Sequence, residues 1–96
     1  MGTFEVGQFE WDKKKNTINL YKHGVDFFQA INAFLDQKRI IAKDQMHQED
    51  EQRFYCIGLV ESRVLTVRFV FRSEKIRIIG AGFWRKGKKL YERENS

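Results

Sequence analysis

The chain changes period part-way along. In its first third the apolar residues recur at helical spacing, and from Arg39 onward they alternate or run together as they do in strands. After a short strand-like start, "TFEVGQFEW", Asp12 precedes a polar run with apolar residues at Ile18, Tyr21 and Val25. That pattern predicts a first helix capped by Asp12 and stopped at Gly24. Asp26 then offers a second cap, and Phe27, Phe28, Ile31, Phe34 and Leu35 would share one face of a second helix. The segments "RIIAK", "RFYCIGLV", "RVLTVRFVFR" and "KIRIIGA" read as strands, with turn-sized gaps at Glu61-Ser62 and Ser73-Glu74. Gaps that short permit hairpins but not parallel crossovers. The closing "FWRKGKKLYERENS" sets Phe83, Gly87, Leu90 and Tyr91 at helical spacing among Arg85, Lys86, Lys88, Lys89 and Arg93, a basic amphipathic helix. The expected fold is therefore α+β: two N-terminal helices, a four-stranded antiparallel sheet and a C-terminal helix, in two layers.

At 96 residues the chain can bury one small core, so one domain spanning 1–96 is expected to carry the function. With 42% hydrophobic and 15% aromatic residues it should fold rather than stay disordered. Its apolar runs fall far short of a membrane span and no secretory pattern opens it, which points to a cytoplasmic protein with no membrane partner. Its one cysteine, Cys56, excludes an internal disulfide, and its apolar run "FYCIGLV" suits a small buried hydrophobe better than a reactive thiol. The net charge of +5 fits a polyanion partner. Its distribution says more: the strands and last helix are basic, whereas "DQMHQEDE", from Asp44 to Glu51, has no Lys or Arg.

Alternation in "VLTVRFVFR" sends Leu65, Val67, Phe69 and Phe71 to one face and Thr66, Arg68, Val70 and Arg72 to the other. Hairpin pairing would bring Arg77 near Arg68 or Val70, so guanidiniums gather on one sheet face. Their planar forks match phosphate and, beside exposed aromatics, suit RNA. A solvated face of mutually paired Arg and Glu has the same composition. Trp11 reads as a core anchor, and Trp84, beside Arg85 and Lys86, as either a buried ring or a base-stacking one. Asp44 and His47 lack the spacing of a metal loop, so no metal or other cofactor is expected. Phosphate-loop, Ser-His-Asp and CxxC signatures are absent. The groups left for catalysis are His23, His47, Glu51, three Tyr and many Arg and Lys, Arg72, Arg77 and Arg85 among them: an unspecific inventory that also suits metal-independent RNA cleavage, which needs general acid-base groups and cations to hold a phosphorane. Lys15, Lys22, Arg53, Arg68, Trp84 and Lys86 complete a set of candidate RNA contacts.

Several motifs then agree in order. Glu10-Trp11-Asp12, Lys15, Asn19, Lys22-His23-Gly24-Val25 and Phe27 resemble the opening of the BrnT family of type II toxin-antitoxin toxins. Asp44, His47, Glu51, Arg53, Phe54, Ile57 and Gly58 resemble its central pattern, Arg72 with Ile76 to Ile79 its arginine-bearing strand, and Leu90 to Glu92 its last helix. The resemblance implies a RelE-like ribonuclease with a central antiparallel sheet flanked by helices. It further implies RNA cleavage that arrests translation, and a BrnA-like antitoxin through which alone the complex meets operator DNA. One departure stands out: many members carry Ser-Ala-Arg after the strand, where this chain has Gly80-Ala81-Gly82. Gly82 thus removes an arginine that the resemblance would enlist for cleavage, with Arg85 as its replacement. The alternative reading is a non-catalytic basic module that binds RNA or an antitoxin.

Overall fold

The computed structural model describes residues 2–46 and 51–96. Its first element is a hairpin, β1 (Thr3–Val6) and β2 (Phe9–Asp12). Asp12 ends β2 and begins α1 (Lys13–His23), its carboxylate accepting from the Lys14 and Lys15 N–H groups. Gly24 stops α1 in the left-handed conformation at φ 69°, its N–H returning to the Leu20 carbonyl. Asp26 caps α2 (Phe27–Ala30), which passes into a 3-10 helix, Ile31–Leu35. Strands β3 (Ile40–Lys43), β4 (Phe54–Val60), β5 (Arg63–Arg72) and β6 (Lys75–Gly82) follow, and α3 (Arg85–Glu94) closes the chain.

Strand order is β1-β2-β6-β5-β4-β3, and β2 pairs with β6 in parallel through Phe9↔Ile76 and Glu10↔Arg77. The α+β class holds, but the expected four-stranded antiparallel sheet of a RelE-like domain is replaced by a mixed sheet of six strands. Two-residue turns do confine β4, β5 and β6 to antiparallel pairing, and β3 joins β4 antiparallel as well. The parallel contact escapes that rule because the whole run from α1 to β5 serves as its connection. The N-terminal region is likewise not two helices. It is a hairpin, one helix and a single α-turn that tightens into a 3-10 helix. At three residues per turn Phe27, Ala30 and Ala33 point inward and are fully buried, while Phe28 and Leu35 turn outward, 55% and 70% exposed.

The helices lie on both sides of the sheet, giving three layers where two were expected. Beneath α2 and the 3-10 helix, the main core gathers Trp11, Val25, Phe27, Leu65, Val67, Phe69 and Ile78. Each such side chain contributes roughly 1.5–3 kcal/mol through burial. Cys56 belongs to this core, and burial pushes its thiol up to about 12, as suits an inert small hydrophobe. On the opposite face Tyr91 of α3 packs with Ile57 and Val64. Gly87 lets α3 come this close, since a Cβ there would lie 1.9 Å from the Thr66 Oγ1. Among the described residues no helix is long and apolar enough to cross a membrane.

Of the apolar positions expected to seat α1, Val25 is fully buried just past the helix end, but Ile18 is 45% exposed and Tyr21 91%. The buried residue of α1 is Asn19. Its amide nitrogen donates to the carbonyls of Val25 and Ala81, and its oxygen accepts from the Ala81 N–H. α1 thus continues along β6 where pairing with β2 stops.

Candidate functional site

Where β5 turns into β6, the sheet face that carries Arg68 and Arg72 becomes densely charged. A bulge between Arg68 and Phe69 sets the register, so that Val70 faces Arg77, Arg68 faces Gly80 and Tyr55 faces Arg68 from the other side. Of the two positions open to Arg77, it takes the one opposite Val70. The parallel contact of β2 then places Glu10 beside it, and the two side chains form an ion pair at 2.9 Å, 17% and 13% exposed. Arg72 is held through two nitrogens by Glu51, at 2.6 Å and 3.3 Å. Those hydrogen bonds hold the Glu51 carboxyl below the usual carboxylate range against the opposing effect of burial, and the charges of Arg53 and Arg77 act in the same direction. The same pair pushes the Arg72 guanidinium up. Glu10, Glu51, Arg53, Arg72 and Arg77 therefore form one cluster: three cations and two carboxylates at the hairpin end of the face. An ionised carboxylate among guanidiniums can accept a proton while its neighbours hold an anion.

Toward the middle of the strands, Arg68 enters no ion pair among the described residues. Beside it, Tyr55 donates its hydroxyl to Asp44 at 3.1 Å; burial and that bond push its phenol up. Asp44 is 3% exposed and also accepts from the Met46 N–H, so this end of the acidic segment is a buried anchor and not a solvated turn. Tyr55, Thr66, Trp84, Lys86 and Leu90 line a cleft of about 250 Å³ on one flank of α3.

Arg85 and His23 belong elsewhere. The His23 ring meets the edge of Trp84 at 5.2 Å between centroids, and Trp84 covers Gly82, which pairs with Thr66. From Thr66 to Val70 is four residues, roughly 13 Å of strand. His23 and the Arg72 and Arg77 pair therefore stand at different ends of the strand. Arg85 shares a separate, larger cleft with Arg63, Lys88 and Lys89 on the other flank of α3. The basic residues that the sequence allows in one site thus fall into a hairpin-end cluster, a middle carrying Arg68 and Lys86, and a far end carrying Trp84, Arg85 and His23. Lys15 and Lys22 are exposed on α1. His47 lies outside the described residues.

Two members of the face lay outside the sequence-derived set. Alternation against buried Trp11 and Cys56 puts Glu10 and Tyr55 on the outward face of their strands, but only the strand order shows that this face is the one bearing the arginines. Among the described residues no group of three or more His, Cys, Asp or Glu side chains could hold a metal ion.

A six-stranded sheet with one face given to paired guanidiniums and carboxylates is the equipment of a small basic protein that handles a polyanion. Residues 11–87 match the family described as the ribonuclease toxin, BrnT, of type II toxin-antitoxin systems. The chain belongs to this BrnT family of toxins, whose members act as ribonucleases and are paired with an antitoxin. No curated protein matches the chain.

Proposed function

We propose that this chain is a cytoplasmic, metal-independent endoribonuclease that arrests translation by cutting RNA and is neutralised by a BrnA-like antitoxin, with operator DNA met only through the toxin-antitoxin complex. Cleavage takes place at the hairpin-end cluster. There Glu51 removes the proton from a ribose 2'-hydroxyl, and the resulting alkoxide attacks the adjacent phosphorus and expels the 5'-oxygen, which takes a proton from solvent water. Arg72 and Arg77 balance the charge of the phosphorane, and Arg68, Arg53 and Lys86 guide the strand along the face. Fixed guanidiniums can supply the electrostatic stabilisation that other nucleases draw from a cation. His23 and Arg85 are left out of the chemistry because of their distance along the strand.

The observation that carries this reading is the ionised Glu51 carboxylate bonded to Arg72 within the field of Arg53 and Arg77. Purified protein incubated with RNA in EDTA is expected to produce fragments ending in 2',3'-cyclic phosphate or its hydrolysis product. Intact RNA under those conditions, with normal growth when the chain is expressed without an antitoxin, would leave the non-catalytic alternative standing. One observation favours that alternative: Arg72 and Arg77 are both neutralised by carboxylates, as in a paired, solvated face.

A further inference from the structure

The larger cleft beside α3, about 640 Å³, lies between that helix and the β4–β5 hairpin, and the proposed cleavage cluster does not use it. Arg63 and, from one stripe of the helix, Arg85, Lys88 and Lys89 surround it with positive charge. None of these four enters an ion pair among the described residues. The lining is also apolar: Leu59, 44% exposed, and Phe83 contribute to it.

One feature weighs against a nucleic acid here. The Arg63 guanidinium lies over the Phe83 ring, 3.8 Å from its centroid, and Phe83 packs against the main core, so the ring offers no free face for a base. An exposed leucine next to four cations instead calls for a ligand that sets carboxylates beside an aliphatic anchor, which a polypeptide has and RNA lacks.

We infer that the cleft between α3 and the β4–β5 hairpin is the seat of an acidic, amphipathic segment of the antitoxin, its carboxylates on Arg63, Arg85, Lys88 and Lys89 and one apolar side chain on Leu59. This rests on the toxin-antitoxin reading but not on the cleavage mechanism. It also gives the toxin two separate faces: RNA on one flank of α3 and the antitoxin on the other.

The test measures affinity for the cognate antitoxin and cleavage of RNA in the same preparations. Lys88→Glu/Lys89→Glu is expected to weaken antitoxin binding at least 30-fold and to flatten its salt dependence, while RNA cleavage stays within twofold. Leu59→Ala, which keeps every charge, is expected to cost about tenfold in antitoxin affinity without changing the salt slope, and so covers the case in which the double variant folds poorly. Antitoxin affinity within twofold of the parent in both variants overturns the assignment, and so does a loss confined to RNA binding, which would make the cleft a nucleic-acid face. If the parent chain cuts no RNA, the cleavage reading fails and the affinity measurements still decide this one.

Discussion

The side-chain amide of Asn19 bonds both backbone groups of Ala81, donating to its carbonyl at 3.0 Å and accepting from its N–H at 3.1 Å. A side chain thereby does for β6 what a neighbouring strand would do. Asn19→Ala leaves both groups of Ala81 and the Val25 carbonyl buried without that partner. A loss of about 3 kcal/mol is expected, read as a lower urea midpoint with an unchanged slope.

Arg77 and Glu10 are mostly buried together, so Arg77→Ala does not merely empty a polar surface. It leaves a half-buried carboxylate unpaired, and a loss of about 2 kcal/mol is expected alongside any loss of cleavage. Glu10→Gln/Arg77→Ala should recover most of the stability and none of the activity. Thermal unfolding and an RNA assay on the same samples separate the two effects.

The acid limb of the pH-rate profile tells a Glu51 base from a histidine base. Arg72 holds the Glu51 carboxyl below 4.5, its ordinary value, so the base is ionised throughout the neutral range. Cleavage should therefore be flat from neutral pH down to about 5 and fall only below the usual glutamate range. A limb near 6.5 would instead assign the proton transfer to a histidine.

Asp36 joins three parts of the fold, accepting from the Leu59 and Lys38 N–H groups and from the Tyr91 hydroxyl. Burial raises its carboxyl, but those three donors outweigh burial and leave it lowered from 3.8. A group lowered on folding stabilises the native state above its unfolded value, and that stability is lost as pH falls through the folded value. The chain should lose stability below pH 3.8, and Asp36→Asn should be less stable at neutral pH by about 1–2 kcal/mol and less sensitive to acid. Burial and the same bond push the Tyr91 phenol up to about 12. Equilibrium unfolding across pH measures both.

A Cβ at position 82 would lie 2.6 Å from two carbons of the Trp84 ring. Gly82→Ala should therefore displace the indole from His23, quench or shift its fluorescence and cost about 1–3 kcal/mol. In a Trp84→Ala background most of that cost should vanish, a coupling that a double-mutant cycle reads directly. Gly82 and the tryptophan two residues on thus act as a pair.

Local signals were legible where a single residue decides the structure. Asp12, Asp26 and Gly24 mark helix ends, and the turns at Glu61-Ser62 and Ser73-Glu74 take the left-handed conformations that join β4, β5 and β6. Trp11 and Cys56 are buried as their apolar runs require. The rest depended on contacts that no window of sequence contains. "TFEVGQFEW" reads as strand-like, but its folding into a hairpin and its parallel docking on β6 are set by residues more than sixty positions away. The switch from α to 3-10 geometry after Ala30 reversed the faces of Phe28 and Leu35. The site followed the same division: alternation put Arg68 and Arg72 on one face and left Arg77 near either Arg68 or Val70, whereas the carboxylates that neutralise Arg72 and Arg77 came from β2 and from Glu51, three positions before β4.

The parallel contact of β2 with β6 also orders events during synthesis. Glu10 waits for Arg77, 67 positions later, so the β1–β2 hairpin has its place in the sheet only once β6 has been made. A nascent or truncated chain ending before β6 has neither arginine partner for Glu10 nor a seat for the hairpin. On the proposed reading, the cell that makes this toxin is spared it until β6 has emerged.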